Sequence, residues 1–254
     1  MRPDIQTLYA VTEATWPPAD RLPAGPWILR NGAGGGKRVS AATAAGDWRE
    51  EDLAAAETAM RMLGQDALFM IRAGETALDA ALDARGYKIV DPVNLWLCPI
   101  DRLTDKTVPR VTAFAVWEPL AIMRDIWATG GIGRDRIAVM DRADAPKTGL
   151  LGRINDKPAG AAYCAIWEGI AMAHALEITP QNRRKGLAAW IMRQAAHWAK
   201  ANGAVWMSVL CTQANDGANG LYASLGMQVV GQYHYRICPT RAKPHDQRHT
   251  SDGT

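Results

Sequence analysis

The stretch Ile178-Thr179-Pro180-Gln181-Asn182-Arg183-Arg184-Lys185-Gly186-Leu187-Ala188 decides how this chain is read. Before it, Ile170 to Ile178 is an apolar run of strand length. After it, Leu187, Ile191, Ala195 and Trp198 recur at intervals of three and four, which predicts one long helix over Arg184 to Ala201. A strand therefore runs through a short basic turn directly into a helix. The first-turn amides of such a helix have no intrahelical acceptors. Gly186 lets the backbone come close to a ligand, and Ala188 keeps a small side chain at the mouth. That arrangement suits a pyrophosphate, held by backbone donors and the positive helix end, with Arg183, Arg184 and Lys185 adding charge. The same residues also suit an ordinary solvated helix start.

Beyond the helix, Val205 to Leu210 reads as an apolar strand and Ala218 to Leu225 as a short helix closed by Gly226. Met227 to Cys238 reads as a last strand, bent at Gly231. Residues 239–254 are polar and aperiodic, the pattern of a disordered tail. Upstream, a second lobe opens near Asp101 to Arg110. It continues with helices over Pro119 to Trp127 and Arg134 to Ala143. A hairpin follows, Gly149 to Asn155 and Ala159 to Trp167, around Asp156-Lys157. The first lobe predicts a helix over Asp4 to Ala14 and strands over Trp27 to Arg30 and Arg38 to Thr43, with a glycine-rich turn at 32–36 between them. Asp47 reads as an N-cap with Glu50 three residues on, opening a helix that carries Leu53, Ala56, Met60 and Leu63. Ala67 to Ile71 then reads as a buried strand and Glu75 to Arg85 as a helix. Tyr87 to Leu97 is a strand region interrupted at Pro92. An offset of 140 positions lays Val205–Leu210 on Gln65–Met70 and Gly226-Met227 on Gly86-Tyr87, as in a degenerate tandem repeat. The fold class is α/β, mixed α+β.

Composition narrows the function. Of 254 residues, 48% are hydrophobic and 22% charged, which excludes a collagenous or wholly disordered chain. Lys and Arg number 29 against 26 acids, and a net charge of +3 is too mild to indicate nucleic acid. Cys98, Cys164, Cys211 and Cys238 form no CxxC pair, so neither a zinc site nor a disulfide framework is expected. No apolar run reaches the roughly 18 residues of a spanning helix. Met1-Arg2-Pro3-Asp4 opens no signal-peptide core, so the cytoplasm is the default. Gly32-Ala33-Gly34-Gly35-Gly36-Lys37 hints at a Walker A loop but fails it: Asn31 stands where a glycine is needed, and Arg38 where Ser or Thr is.

Arg183 to Ala188 resembles the acyl-CoA pyrophosphate motif of the GCN5-related N-acetyltransferase (GNAT) family. Asn215-Asp216-Gly217-Ala218-Asn219-Gly220-Leu221-Tyr222, with Leu225-Gly226-Met227, resembles that family's later motif, Met227 replacing its usual aromatic. The resemblance covers roughly residues 101–238, and the first lobe is similar to half of such a domain. It implies a strongly bent mixed sheet flanked by helices, in two related lobes. Residues 1–100 would form a degenerate lobe, 101–238 the acyl-CoA-binding domain and 239–254 a tail. It also implies acetyl-CoA as cofactor, its arm entering where Ile170–Ile178 and Val205–Leu210 splay apart. Backbone groups around Leu176 and Ile178 would grip the arm, and the amides of Arg184, Lys185, Gly186, Leu187 and Ala188 would hold the pyrophosphate, with charge from Arg183. Asn215 would bond near the arm, and Tyr222 would stand by the thioester sulfur as proton donor.

The implied reaction is direct acetyl transfer to an amine in a ternary complex. Glu177 is the leading base, with Glu168 and His174 as competitors. Regular alternation would keep His174 and Glu177 on opposite faces. Trp167 and Glu168 are candidates for an acceptor pocket. A Cys211 acyl-enzyme lacks a sequence partner, and Cys164 reads as a small apolar residue. In the first lobe, Thr43, Ala45, Trp48, Glu75 and Leu82 stand at the positions of Arg183, Lys185, Ala188, Asn215 and Tyr222, so that lobe is expected to shape the acceptor cleft or play a structural role. The expected partner is a small-molecule or peptide amine, with no nucleic acid and no membrane, and a homodimer is allowed. The alternatives are an acyl-CoA-binding or sensing module without catalysis, and a structural or interaction protein.

Overall fold

Asp4 starts the first helix, α1 (Ile5–Thr15), by accepting the Thr7 amide on its carboxylate at 2.7 Å, the usual N-cap bond. The computed structural model describes residues 1–239; the tail expected over 239–254 lies, from residue 240, outside the described residues. After α1, strands β1 (Asp20–Ala24), β2 (Trp27–Asn31) and β3 (Thr43–Ala44) form a small antiparallel sheet. The strand expected over Arg38 to Thr43 is mostly a helical turn, α2 (Lys37–Ser40). The Ser40 hydroxyl donates to the Gly36 carbonyl at 3.1 Å and the Ala41 amide to the Lys37 carbonyl at 2.9 Å. These local bonds divert backbone groups that a ladder would need.

Next come α3 (Glu50–Met62), β4 (Leu68–Ile71), α4 (Thr76–Ala84) and β5 (Lys88–Pro99). Helix α3 is capped at Arg49, two residues later than the Asp47 cap expected from sequence, because the Asp52 carboxylate accepts the Arg49 amide at 2.8 Å. The second lobe runs β6 (Ala113–Val116), α5 (Ala121–Thr129), α6 (Arg134–Arg142), β7 (Lys147–Ile154), β8 (Lys157–Trp167) and β9 (Ile170–Ile178). It ends with α7 (Leu187–Ala201), β10 (Trp206–Thr212), α8 (Asp216–Ser224) and β11 (Gln228–Ile237). None of the described helices is long and apolar enough to cross a membrane.

One sheet of eight strands joins the lobes in the order β4-β11-β5-β10-β9-β8-β7-β6. All its pairs are antiparallel except β9–β10. Each lobe's last strand lies beside the other lobe: β5 pairs with β10, and β11 with β4. The register follows the 140-residue offset. Leu68↔Ile237 becomes Ser208↔Leu97, and Lys88↔Ile237 becomes Gln228↔Leu97. Val93↔Tyr233 maps onto itself, so a local two-fold axis passes through that pair. On one side of the sheet, Leu187, Ile191 and Ala195 of α7 bury against Ala171, Ala173 and Val209. On the other, Trp16, Met123, Trp127 and Met140 bury against Ala161 and Tyr163.

Candidate functional site

Strands β9 and β10 pair only from Trp206↔Ile170 to Val209↔Ala173. Beyond that point β10 keeps its ladder with β5 as far as Thr212↔Val93, while β9 keeps its ladder with β8 as far as Ile178↔Gly160. The two strands therefore part, as the sequence reading expected. The Thr179 amide donates to the Ala159 carbonyl at 2.9 Å. Antiparallel bonding alternates, so Glu177 also bonds toward β8, while the backbone groups of Leu176 and Ile178 face the gap. The Ile178 carbonyl accepts from Arg183 Nε at 3.1 Å on that side.

A groove of about 540 Å³ opens from this gap, lined among others by Leu176, Ile178, Gly186, Ala188, Asn215 and Ala218. Its floor is the start of α7. Gly186 sits in the left-handed region, φ 81°, and places no side chain over the first amides. Among the described residues, the six consecutive amides of residues 184–189 find no acceptor; the next, Trp190, donates to the Gly186 carbonyl at 3.4 Å. Six adjacent donors at a helix N-terminus form a nest for an anion. The cationic side chains do less than expected. Arg183 donates to Glu177 Oε1 at 2.9 Å, and Lys185 Nζ to Asn182 Oδ1 at 3.3 Å. Arg184 lines the groove and has no ion pair among the described residues.

The first lobe's counterpart is chemically opposite. Helix α3 opens with Glu50, Glu51 and Asp52, one of which caps it. Trp48 packs on Trp27 at 6.1 Å, and Glu75 is paired with Arg72 at 2.6 Å. An anion would meet carboxylates there.

Ala175 has φ 52°, and the β8–β9 register shifts beside it. This bulge corrects the regular alternation expected for β9. Tyr163↔His174 and Ala161↔Glu177 are facing pairs, and Tyr163 and Ala161 lie on one face of β8. His174 and Glu177 therefore share a face, while Leu176 and Ile178 turn toward α7. Glu177 is held in the Arg183 pair and packs under the end of α5, where a Cβ on Gly130 would meet its carboxyl group at 2.6 Å. Glu168 and Trp167 are far from the gap. They sit at the β8–β9 turn, where Glu168 takes φ 47°, at the opposite end of the ladder from Ile178.

His174 is buried, 5% exposed, and stacked on Trp16 at 5.0 Å. Arg38 Nη1 donates to its Nδ1 at 3.0 Å. The ring proton is therefore on Nε2, which donates to Thr15 Oγ1 at 2.9 Å, and that hydroxyl donates to the Val11 carbonyl at 2.7 Å. Burial first, then the charge of Arg38, holds the His174 pKa well below the ordinary 6.5. The unfolded chain therefore takes up the proton first. The stability from neutral His174 is complete above about pH 6.5 and is lost as the pH falls toward the folded pKa, by up to about 1.4 kcal/mol per unit. Urea melts between about pH 7.5 and 5.5 should show this slope, and His174→Gln should flatten it. An equal slope in the variant would assign the loss to other groups.

Tyr222 is set behind the groove wall, 4% exposed, with its ring 6.1 Å from Trp96. Its hydroxyl has no hydrogen-bond partner among the described residues, and burial, then Cys211, pushes its pKa up. It therefore remains a donor. The Asn215 side chain accepts the Ala218 amide at 3.0 Å and so caps α8 at the rim. Cys211 is buried, with its thiol pushed up to about 11 by burial, so it is no thiolate nucleophile. Burial likewise pushes up Cys164.

Sequence reasoning missed Asn219. Its Nδ2 donates to the carbonyls of Thr212 and Asn215, both at 2.9 Å, and its Oδ1 accepts from Asn94 Nδ2 and Trp96 Nε1, both at 3.1 Å. It fastens the β10–α8 turn to β5. Residue type marks Asn219 as polar, but nothing local to it shows that β5 lies alongside. Among the described residues no cluster is suited to a metal ion.

Residues 118–227 match the Acetyltransferase (GNAT) family. No curated protein matches the chain in sequence. Solved structures with the same fold include a GCN5-related N-acetyltransferase from Kribbella flavida, 18% identical, covering 94% of this chain and 97% of that one with a TM-score of 0.67. A functionally unknown conserved protein from Staphylococcus epidermidis is 9% identical, with coverage of 86% and 93% and a TM-score of 0.65. A tandem GNAT protein from the clavulanic acid biosynthesis pathway is 13% identical, with coverage of 78% and 74% and a TM-score of 0.57. At these identities the likeness is one of fold.

Proposed function

Because residues 118–227 carry a domain of the GNAT family, we propose that the chain transfers an acetyl group from acetyl-CoA to a primary amine by direct attack. The observation that carries this reading is the run of six amides without acceptors at the opening of α7, beside the freed edge of β9. The amides of Arg184, Lys185, Gly186, Leu187 and Ala188 would hold the pyrophosphate. Leu176 and Ile178 would bond the arm through their backbone, with Asn215 at the rim. When bound, acetyl-CoA supplies an activated thioester with a thiol leaving group. Backbone donors at the broken end of the β9–β10 ladder lie in a partly dry cleft, where they stabilise developing negative charge more than water does. Tyr222 is kept protonated by burial and supplies a hydrogen bond or proton at the sulfur side. Glu177 already holds Arg183, so the amine is taken to enter as its neutral form.

The test is thiol release from acetyl-CoA with a panel of amines, together with the mass of the product. Calorimetric CoA binding without release across the panel would leave an acyl-CoA-binding module in place of an enzyme. Tyr222→Phe should lower turnover about a hundredfold and leave CoA affinity nearly unchanged. Because Tyr222 stays protonated well into the alkaline range, the ratio of variant to wild-type rate should be constant from about pH 7 to 9. A ratio near one would remove the proton role.

A further inference from the structure

A second cavity, of about 230 Å³, meets the same break in the sheet from the opposite face. Ala175 and Thr212 line it, next in sequence to Leu176 and close to Asn215, which line the groove on the α7 side. Its walls also carry Lys37, Arg38, Arg136 and Asp91. Asp91 is taken by Lys37 at 2.8 Å, which leaves two guanidinium groups without a carboxylate.

Arg38 is the telling residue. Of the inward arginines nearby, Arg30 pairs with Glu13 at 3.1 Å and Arg72 with Glu75 at 2.6 Å, while Arg142, outside this cavity, shares with Arg38 a buried Nε without a partner. Arg236 pairs with Asp79 at 2.7 Å and with Asp83 at 2.6 Å. Arg38 has no carboxylate within ion-pair distance among the described residues, and its Nε is buried without a hydrogen-bond partner. Its protein contacts are neutral: His174 Nδ1 at 3.0 Å, the face of Trp16 at 5.9 Å, and the hydroxyls of Tyr233 and Tyr235. Arg38 as a whole is half-buried, but its buried Nε has lost water and gained no partner, a cost that an anion would offset. The exposed Arg136 reaches the same cavity from α6, and it too has no ion pair among the described residues.

We propose that this cavity is the acceptor site, and that the acceptor amine carries an anionic group, a carboxylate or a phosphate, received by Arg38 and Arg136. The inference rests on the acetyl-transfer reading and adds the substrate class to it. It also gives the first lobe a part in the reaction, because Arg38 and Lys37 belong to α2. The His174–Thr15 chain is a positioning device: it orients Arg38 by filling Nη1, with the Tyr233 and Tyr235 hydroxyls alongside, and leaves the unpartnered Nε edge to the ligand.

The experiment compares matched acceptors: L-phenylalanine with phenethylamine, L-lysine with cadaverine, and phosphoethanolamine with ethanolamine. In each pair the anionic member should have a kcat/KM at least about tenfold higher, and the carboxylate and phosphate arms identify which anion fits. Arg136→Gln, an exposed substitution that leaves the fold alone, should raise KM for the anionic members about tenfold and not for the neutral ones. Arg38→Met should raise it about a hundredfold, with CoA affinity unchanged as the sign that the protein is folded. If no amine is acetylated, calorimetry on the CoA-loaded protein takes over: binding of an anionic member, weakened by Arg136→Gln, supports the site even as the transfer reading fails. Equal use of neutral and anionic acceptors would overturn the inference, as would indifference of the anionic KM to both variants or no binding of any anionic probe.

Discussion

Ala189→Asp should cost CoA affinity about a hundredfold, some 3 kcal/mol, and leave the melting temperature unchanged or slightly higher. Ala189 is the third residue of α7 and lines the groove. Asp52 is the third residue of α3, where its carboxylate accepts the Arg49 amide at 2.8 Å. The substitution would therefore give the second lobe the closed helix start of its counterpart. The new carboxylate would take the Gly186 amide, remove one donor from the nest and place a negative charge at the proposed pyrophosphate position. Capping alone stabilises a helix by about 1 kcal/mol, so lost binding cannot be blamed on unfolding. Ala189→Asn caps without a charge and should cost only about tenfold, which separates the lost donor from the repulsion. If CoA bound Ala189→Asp as tightly as wild type, the anion would have to sit elsewhere and the functional reading would lose its support.

This contrast also shows which parts of the site are legible in a sequence. The groove floor is local: residues 178–189 are contiguous, and strand, turn and helix follow from period and glycine placement alone. The β7–β8 hairpin was legible too, but its turn lies one residue earlier than the expected Asp156-Lys157: Asn155 and Asp156 both take positive φ, as such residues readily do, and Lys157 already pairs with Ile154. The facing of His174 and Glu177 was not legible. It hangs on one extra residue, Ala175, in a bulge, and alanine carries no bulge signal. The fate of Arg183 was hidden for a related reason, because its partner Glu177 is brought to it by that same bulge. Arg38 lay furthest from view. Its strand-like surroundings fold as a helical turn, and its neighbours His174, Tyr233 and Tyr235 arrive from more than a hundred residues away. Long-range placement of a charge leaves no periodic trace in the chain.

A fragment beginning at Asp101 should fail to fold, although it would contain every residue assigned to CoA. The missing piece is β5 (Lys88–Pro99), which lies between β10 and β11 and bonds to both. Without it β10 has an open edge along Trp206 to Thr212, next to the gap where β9 already leaves it. Leu95 and Leu97, 0% and 2% exposed, would be gone from the core, and Asn219 would lose both donors to its Oδ1. Losing two buried leucines costs about 4–10 kcal/mol by the usual deletion scale, comparable to the whole stability of a domain. Two unpaired edges in one sheet also invite aggregation. The fragment should therefore be recovered insoluble, or soluble with no cooperative melt by circular dichroism. Supplying residues 1–100 on a second chain should restore both folding and CoA binding, because β5 enters the sheet by pairing and not through its connection to residue 101. A fragment that melted cooperatively and bound CoA with native affinity would show that β11 can move over to β10 by itself, and that the exchange of last strands is a convenience of the intact chain and not a condition of its fold.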